Sequence, residues 1–141
     1  MFKKILVPVD PNEMEFAKPA VAAAADLAAQ GDGEVLLVGV MPVMNGYVSE
    51  FLPTDFEAGF EKETEARIRA IGTEAGLKDG RFSVKLRSGS VYHEVIDEAK
   101  ESAVDVIVVT SHRPQMSTYL LGSNAAKIVR HATCSVLVLR D

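Results

Sequence analysis

The chain has 141 residues, 48% hydrophobic and 25% charged, which is enough to bury a core and too apolar for a disordered polymer. Fifteen Lys and Arg against twenty Asp and Glu give a formal charge of −5, with the cations scattered. That excludes the basic face on which nucleic-acid binding depends.

The chain opens "MFKKILVPVD". Its apolar run is too short for a secretory leader, and Lys4 to Val9 reads instead as a buried first strand. Asn12 with Glu15 has the spacing of a helix cap, opening a segment whose inner face is Ala17, Val21, Ala24 and Ala28. Glu34 to Val40 is a second buried strand. Met41 to Pro53 is the longest irregular stretch, a candidate loop beside whatever binds. Thr54 and Glu57 repeat the cap signature ahead of Phe56, Phe60, Ile68 and Ile71 at helical spacing. Phe82 to Arg87 alternates apolar and polar residues as a half-exposed edge strand does. Ser90 caps a third helix with Val91, Val95, Ile96 and Ala99 inward. Val104 to Thr110 is a fourth strand. Ser123 caps a last helix with Ala125, Ile128, Val129 and Ala132 inward. Ser135 to Arg140 completes the pattern.

Strand and helix alternate throughout. The order predicts a three-layer α/β/α, Rossmann-like fold: a parallel sheet with right-handed crossovers and helices on both faces. No repeat, low-complexity segment or linker divides it, so residues 1–141 are expected to form one domain. No apolar run approaches the roughly 20 residues a membrane helix needs. A single cysteine, Cys134, allows no disulfide framework or CxxC pair. It reads as a structural thiol just before the last strand. A cytoplasmic location is expected, without membrane insertion. The three histidines show no metal-ligand spacing.

In an open parallel sheet, ligands bind beyond the carboxyl ends of the strands, where the strand order reverses. The residues there are Val9-Asp10, Val40 and Thr110-Ser111-His112-Arg113. Asp10 reads either as an acid favouring the first helix N-terminus or as an acceptor for ribose hydroxyls. Gly122-Ser123-Asn124 reads either as an ordinary helix cap or as a helix start that a phosphate can approach. Arg113 precedes Pro114, which favours an extended or turn conformation for it. It is either a solvated arginine or a planar fork for phosphate oxygens.

The segments "KKILVPVD" and "SHRPQMSTYLLGSNAAKIVRHATCSVLVLR" closely resemble the universal stress protein family, in particular a branch of small bacterial members with "SHRP" and "TYLLGSNAA". The resemblance implies one such domain, its five parallel strands in the order 3-2-1-4-5, and binding of ATP or AMP at the switch point, with Mg²⁺ accompanying the triphosphate. In the family, phosphates meet a motif of Gly-x-x-Gly, nine residues, then Gly-Ser or Gly-Thr. Gly122 and Ser123 match its last pair. Asp10 matches the ribose-binding acid, and Val40 the residue whose backbone meets the adenine edge. Thr110 and Arg113 stand in place of the first two glycines, and eight residues rather than nine separate Arg113 from Gly122. Arg113 is then the donor expected to compensate. The implied binding set is Pro8, Val9, Asp10, Val40, Thr110, Ser111, His112, Arg113, Gly122, Ser123 and Asn124.

The implied function is a nucleotide-binding regulator of the stress response that acts through an unidentified protein partner. It would dimerise through its carboxyl-terminal strand. The rivals are a slow ATPase or self-phosphorylating protein, for which His112 is the candidate base, and a stress protein that acts by protein contacts without a nucleotide. A dinucleotide-binding redox protein is excluded, because "PVDPNEMEF" lacks the glycine-rich turn that such a site needs.

Overall fold

The computed structural model describes residues 2–41, 56–111 and 122–140. Among these, the elements run in the expected alternation: β1 (Lys4–Val9), a 3-10 turn (Met14–Ala17), α1 (Lys18–Gly31), β2 (Glu34–Met41), α2 (Phe56–Glu74), β3 (Phe82–Ser88), α3 (Val91–Glu101), β4 (Val106–Thr110), α4 (Ser123–His131) and β5 (Ser135–Leu139). All ladders are parallel and the order is β3-β2-β1-β4-β5. The chain therefore reverses direction across the sheet between β1 and β4, and both strands end on the same side.

The near-continuous apolar runs are explained by burial on both faces. One face of β1 (Ile5, Val7, Val9) packs with Val35, Leu37, Val106 and Val108 under α1 and α2. The other carries Leu6, Val38, Val40, Ile107 and Val109 under α3 and α4. Phe82, Val84 and Leu86 of β3 join the first face, which matches the alternation read from the sequence. Gly72 lets α2 approach the sheet closely: a Cβ there would lie 2.5 Å from Cε2 of Phe82 and 3.1 Å from Cδ1 of Leu37.

Three local readings are corrected. Asn12 caps no helix. A helix begun there would hold Pro19 in its interior, where a ring without an N–H cannot sit. The chain turns instead, and α1 opens at Lys18 with the proline in its first turn. Ser123 is the first residue of α4 rather than its cap. Gly122 occupies the cap position with φ −60° and ψ 154°, and its carbonyl accepts the Ala126 amide at 2.9 Å. Ser90 does hold the cap position of α3, but its carbonyl, not its side chain, receives Glu94 N–H. The cap read at Thr54 lies outside the described residues.

Val129 is 46% exposed although it was expected to face inward, and Phe60, placed at helical spacing with Ile68 and Ile71, is 45% exposed. The buried stripe of the short α4 is only Ala125 and Ile128. On α2, residues 58–63 are exposed, and burial begins at Thr64, Ile68 and Ile71.

Candidate functional site

The β1–β2 register runs the full length of β1, from Lys4↔Glu34 to Val9↔Gly39, but the β1–β4 register stops at Leu6↔Ile107. Proline explains the difference. The Lys3 carbonyl accepts Glu34 N–H, and the Lys4 carbonyl accepts Asp105 N–H, both at 2.8 Å. Even-numbered residues of β1 therefore address β4, and Pro8 is the one with no N–H to give. A proline in the central strand of a sheet is unusual. Here it falls where the two strands part.

An open cleft of about 130 Å³ lies at that parting. Pro8, Val9 and Asp10 form one wall and Thr110 with Val109 the other, at the carboxyl ends of β1 and β4. Val38, Val40, Val91, Ala125 and Ile128 line an apolar slot beneath the starts of α3 and α4, and Asn124 stands at its α4 end. Glu13, Phe16 and Ala17 of the 3-10 turn complete the lining.

The turn that carries Asp10 is tightly bonded. Asn12 N–H donates to Asp10 Oδ1 at 2.9 Å. Glu13 N–H donates to the Asp10 carbonyl and Phe16 N–H to the Glu13 carbonyl, both at 3.1 Å. Thr110 Oγ1 donates to the Phe16 carbonyl at 3.1 Å, tying the end of β4 to the same turn. Asp10 Oδ1 is thus an anchor, and Oδ2 has no hydrogen-bond partner among the described residues.

Of the residues singled out from the sequence, Pro8, Val9, Asp10, Val40, Thr110 and Asn124 line one cleft. Ser111 turns away. Its N–H and hydroxyl both donate to the Leu139 carbonyl of β5, at 3.0 and 3.3 Å. Gly122 is buried and Ser123 exposed at the start of α4, next to Asn124 but outside the lining. His112 and Arg113 lie outside the described residues. Sequence reasoning missed Glu13, Phe16 and Val91. The first two reach the cleft only because Pro19 delays α1. Val91 was assigned to the core and is half-buried at the cleft wall.

The cleft is acidic at its rim and apolar within. Asp10 and Glu13 line it, and no cation does among the described residues. No group of three or more His, Cys, Asp or Glu that could hold a metal occurs among the described residues. No described helix is long and apolar enough to cross a membrane.

The profile of the universal stress protein family matches residues 1–140. Universal stress protein G of Shigella flexneri is 38% identical over 143 aligned positions, covering 99% of this chain and 100% of that protein. The chain belongs to the universal stress protein family. Solved universal stress proteins share its fold. One in complex with cAMP superposes with a TM-score of 0.70 at 18% identity, covering 99% of this chain and 97% of the other. One from Archaeoglobus fulgidus in complex with dAMP gives 0.68 at 20% identity, covering 99% and 98%.

This universal stress protein also holds a polar cluster away from the cleft that the sequence did not announce. The Glu98 side chain is fully buried. Arg87 Nη1 reaches its Oε1 at 2.8 Å, Lys85 Nζ reaches it at 3.1 Å, and the Ser102 hydroxyl donates to its Oε2. Arg87 also reaches Glu94 at 2.8 Å and Glu101 at 2.9 Å. Burial pushes the Glu98 carboxyl up, but the bonds from Ser102, Arg87 and Lys85 outweigh it and hold the group below the usual range. Hydrogen bonds to Glu94, Glu98 and Glu101 raise Arg87. The signal was present as periodicity: Glu94, Glu98 and Glu101 share one face of α3, and Lys85 and Arg87 share one face of β3. Cys134 is partly buried, and burial pushes its thiol up, away from thiolate chemistry.

Proposed function

We propose that the protein binds an adenine nucleotide, ATP or AMP, in the cleft between β1 and β4, and acts as a cytoplasmic regulator in the stress response. The observation that carries this reading is the pairing of an all-aliphatic slot with a carboxylate at its rim, at the switch point of the sheet. A flat purine suits the slot beside Val38, Val40 and Val91. Asp10 Oδ2 accepts from ribose hydroxyls. The phosphates then point toward the start of α4, where the helix dipole and the amides near Gly122, Ser123 and Asn124 favour an anion, and Arg113 adds a charged fork. That two proteins of this fold are described with cAMP and dAMP supports an adenine nucleotide as the class. Mg²⁺ comes with the triphosphate, held by phosphate oxygens and water rather than by a protein cage.

The same reading includes a homodimer. Among the described strands, β5 is an outer one, without charge or proline from Ser135 to Leu139, and its Leu137 is 37% exposed. An unblunted apolar edge favours pairing with its own copy around a two-fold axis. The regulated partner is a separate protein that reads the nucleotide state.

Mass spectrometry of the denatured, freshly purified protein, with calorimetric titration of the nucleotide-free protein by ATP, AMP and adenosine, tests the proposal. A co-purified adenine nucleotide, or saturable binding that Asp10→Ala weakens, is expected. No binding of any of the three by the wild-type protein overturns it.

A further inference from the structure

We propose that Thr110 is a positioning residue of the cleft: its hydroxyl, bonded to the Phe16 carbonyl, fixes the turn that presents Asp10, and thereby sets how strictly the site demands sugar hydroxyls. The proposal rests on the nucleotide reading above and deepens it.

The argument starts from where the ladder fails. Beyond Leu6↔Ile107, the β1–β4 register no longer holds the two walls together, and Pro8 cannot donate across the gap. A carboxylate at the edge of such a gap would sample several positions, and a hydrogen bond to a sugar is lost within a few tenths of an ångström. The Thr110 side chain supplies the missing tie. Its Oγ1 spans 94 positions of sequence to reach the Phe16 carbonyl at 3.1 Å. Phe16 is bonded back to Glu13, and Glu13 back to Asp10, while Asn12 N–H holds Asp10 Oδ1. The chain Thr110–Phe16–Glu13–Asp10 is continuous and ends at the main-chain carbonyl of Asp10, the residue whose side-chain Oδ2 is proposed to meet the ribose. A glycine at position 110 would leave that carbonyl without this donor.

The test uses the full chain, with Thr110→Val, which keeps the shape and removes the donor, and Thr110→Ser, which restores it. Two readouts are taken. The first is amide hydrogen exchange of the nucleotide-free protein at residues 12–16. The second is the ratio of dissociation constants for 2′,3′-dideoxy-ATP and ATP, which a merely structural role would not move. In the wild type, loss of the sugar hydroxyls should weaken binding about 10-fold or more. In Thr110→Val, exchange in the turn should rise while that of β1 and β4 stays the same, and the ratio should fall about 3- to 10-fold. Thr110→Ser should restore both. Unchanged exchange in Thr110→Val refutes the clasp whatever the ligand does. Faster exchange with an unchanged ratio leaves the bond merely structural and overturns the proposal. If the wild type binds neither nucleotide while exchange in the variant still rises, the nucleotide reading is what has failed, and the claim about sugar selection falls with it.

Discussion

Removing the guanidinium of Arg87 should destabilise the fold more than its place on an edge strand suggests. Arg87→Met keeps the length of the side chain and takes away one bond to each of Glu94, Glu98 and Glu101. The bond to the fully buried Glu98 is expected to matter most, that to the largely buried Glu94 less and that to Glu101 least. Glu101 is 60% exposed, and such pairs are worth at most about 1 kcal/mol. Glu98 is fully buried, and stripping the partner from a buried charge costs about 3–5 kcal/mol. Lys85 and Ser102 remain in place, which argues for less than that range, about 2–3 kcal/mol. For a chain of this size about 3–4 °C accompanies each kcal/mol, so the melting temperature should drop by about 6–12 °C. Urea unfolding at pH 7, followed by far-ultraviolet circular dichroism, gives the free energy directly. A loss below about 0.5 kcal/mol would show that the cluster carries no net stability. The pH dependence follows from the same group. The folded Glu98 carboxyl lies below its unfolded value of about 4.3, so its contribution is complete above that value and is lost as pH falls through the folded one. The stability gap between wild type and Glu98→Gln should therefore be constant from pH 7 to about 5 and shrink at more acid pH.

Three further outcomes are expected. Gly72→Ala should destabilise by about 1–2 kcal/mol in urea titrations, because overpacking against the Phe82 ring exceeds the helix-propensity gain; an unchanged or raised midpoint would show that the ring yields freely. Pro8→Ala restores an N–H facing β4, so it should lengthen the ladder and weaken ATP by about tenfold or more, equivalent to about 1.4 kcal/mol, without lowering the melting temperature; undiminished affinity in calorimetry would remove the proline from the account of the cleft. Leu137→Lys places a charge on the exposed edge of β5 and should shift sedimentation from dimer to monomer, and a wild type that is monomeric at tens of micromolar ends the dimer proposal.

The strand order and layers were legible because the signals are redundant. β1 ends where its apolar run ends, and β5 and β3 are placed to within a residue. β4 begins two residues after its run does, because Val104 and Asp105 serve the turn: their amides bond to Ala99 and Lys4 carbonyls. Caps were read poorly, since a Ser or Asn with an acid downstream also occurs where a proline overrides it, as Pro19 overrides Asn12. The cleft was legible through strand ends: Asp10, Val40 and Thr110 meet because parallel strands finish together. Ser111 was included by adjacency, whereas its N–H and hydroxyl are both taken by the Leu139 carbonyl of β5. Glu98 was missed because a carboxylate on a helix is ordinarily solvated. Its burial depends on two cations from another element 11 and 13 positions away.

The charges of the cleft also fix how a nucleotide would lie in it. Asp10 and Glu13 stand together at the β1 side of the rim, so a phosphate there would meet two carboxylates and no cation among the described residues. The start of α4, with Asn124 in the lining, is on the other side, and α4 carries Lys127, Arg130 and His131 without a single acid. In the proposed reading the two acids therefore set the orientation: hydroxyls toward Asp10, anion away from them toward the start of α4, base in the valine slot between. That proposed placement asks for no glycine at position 110. With Thr110 bonded to Phe16 and the anion assigned to the far wall, the end of β4 has the turn to hold rather than the phosphate.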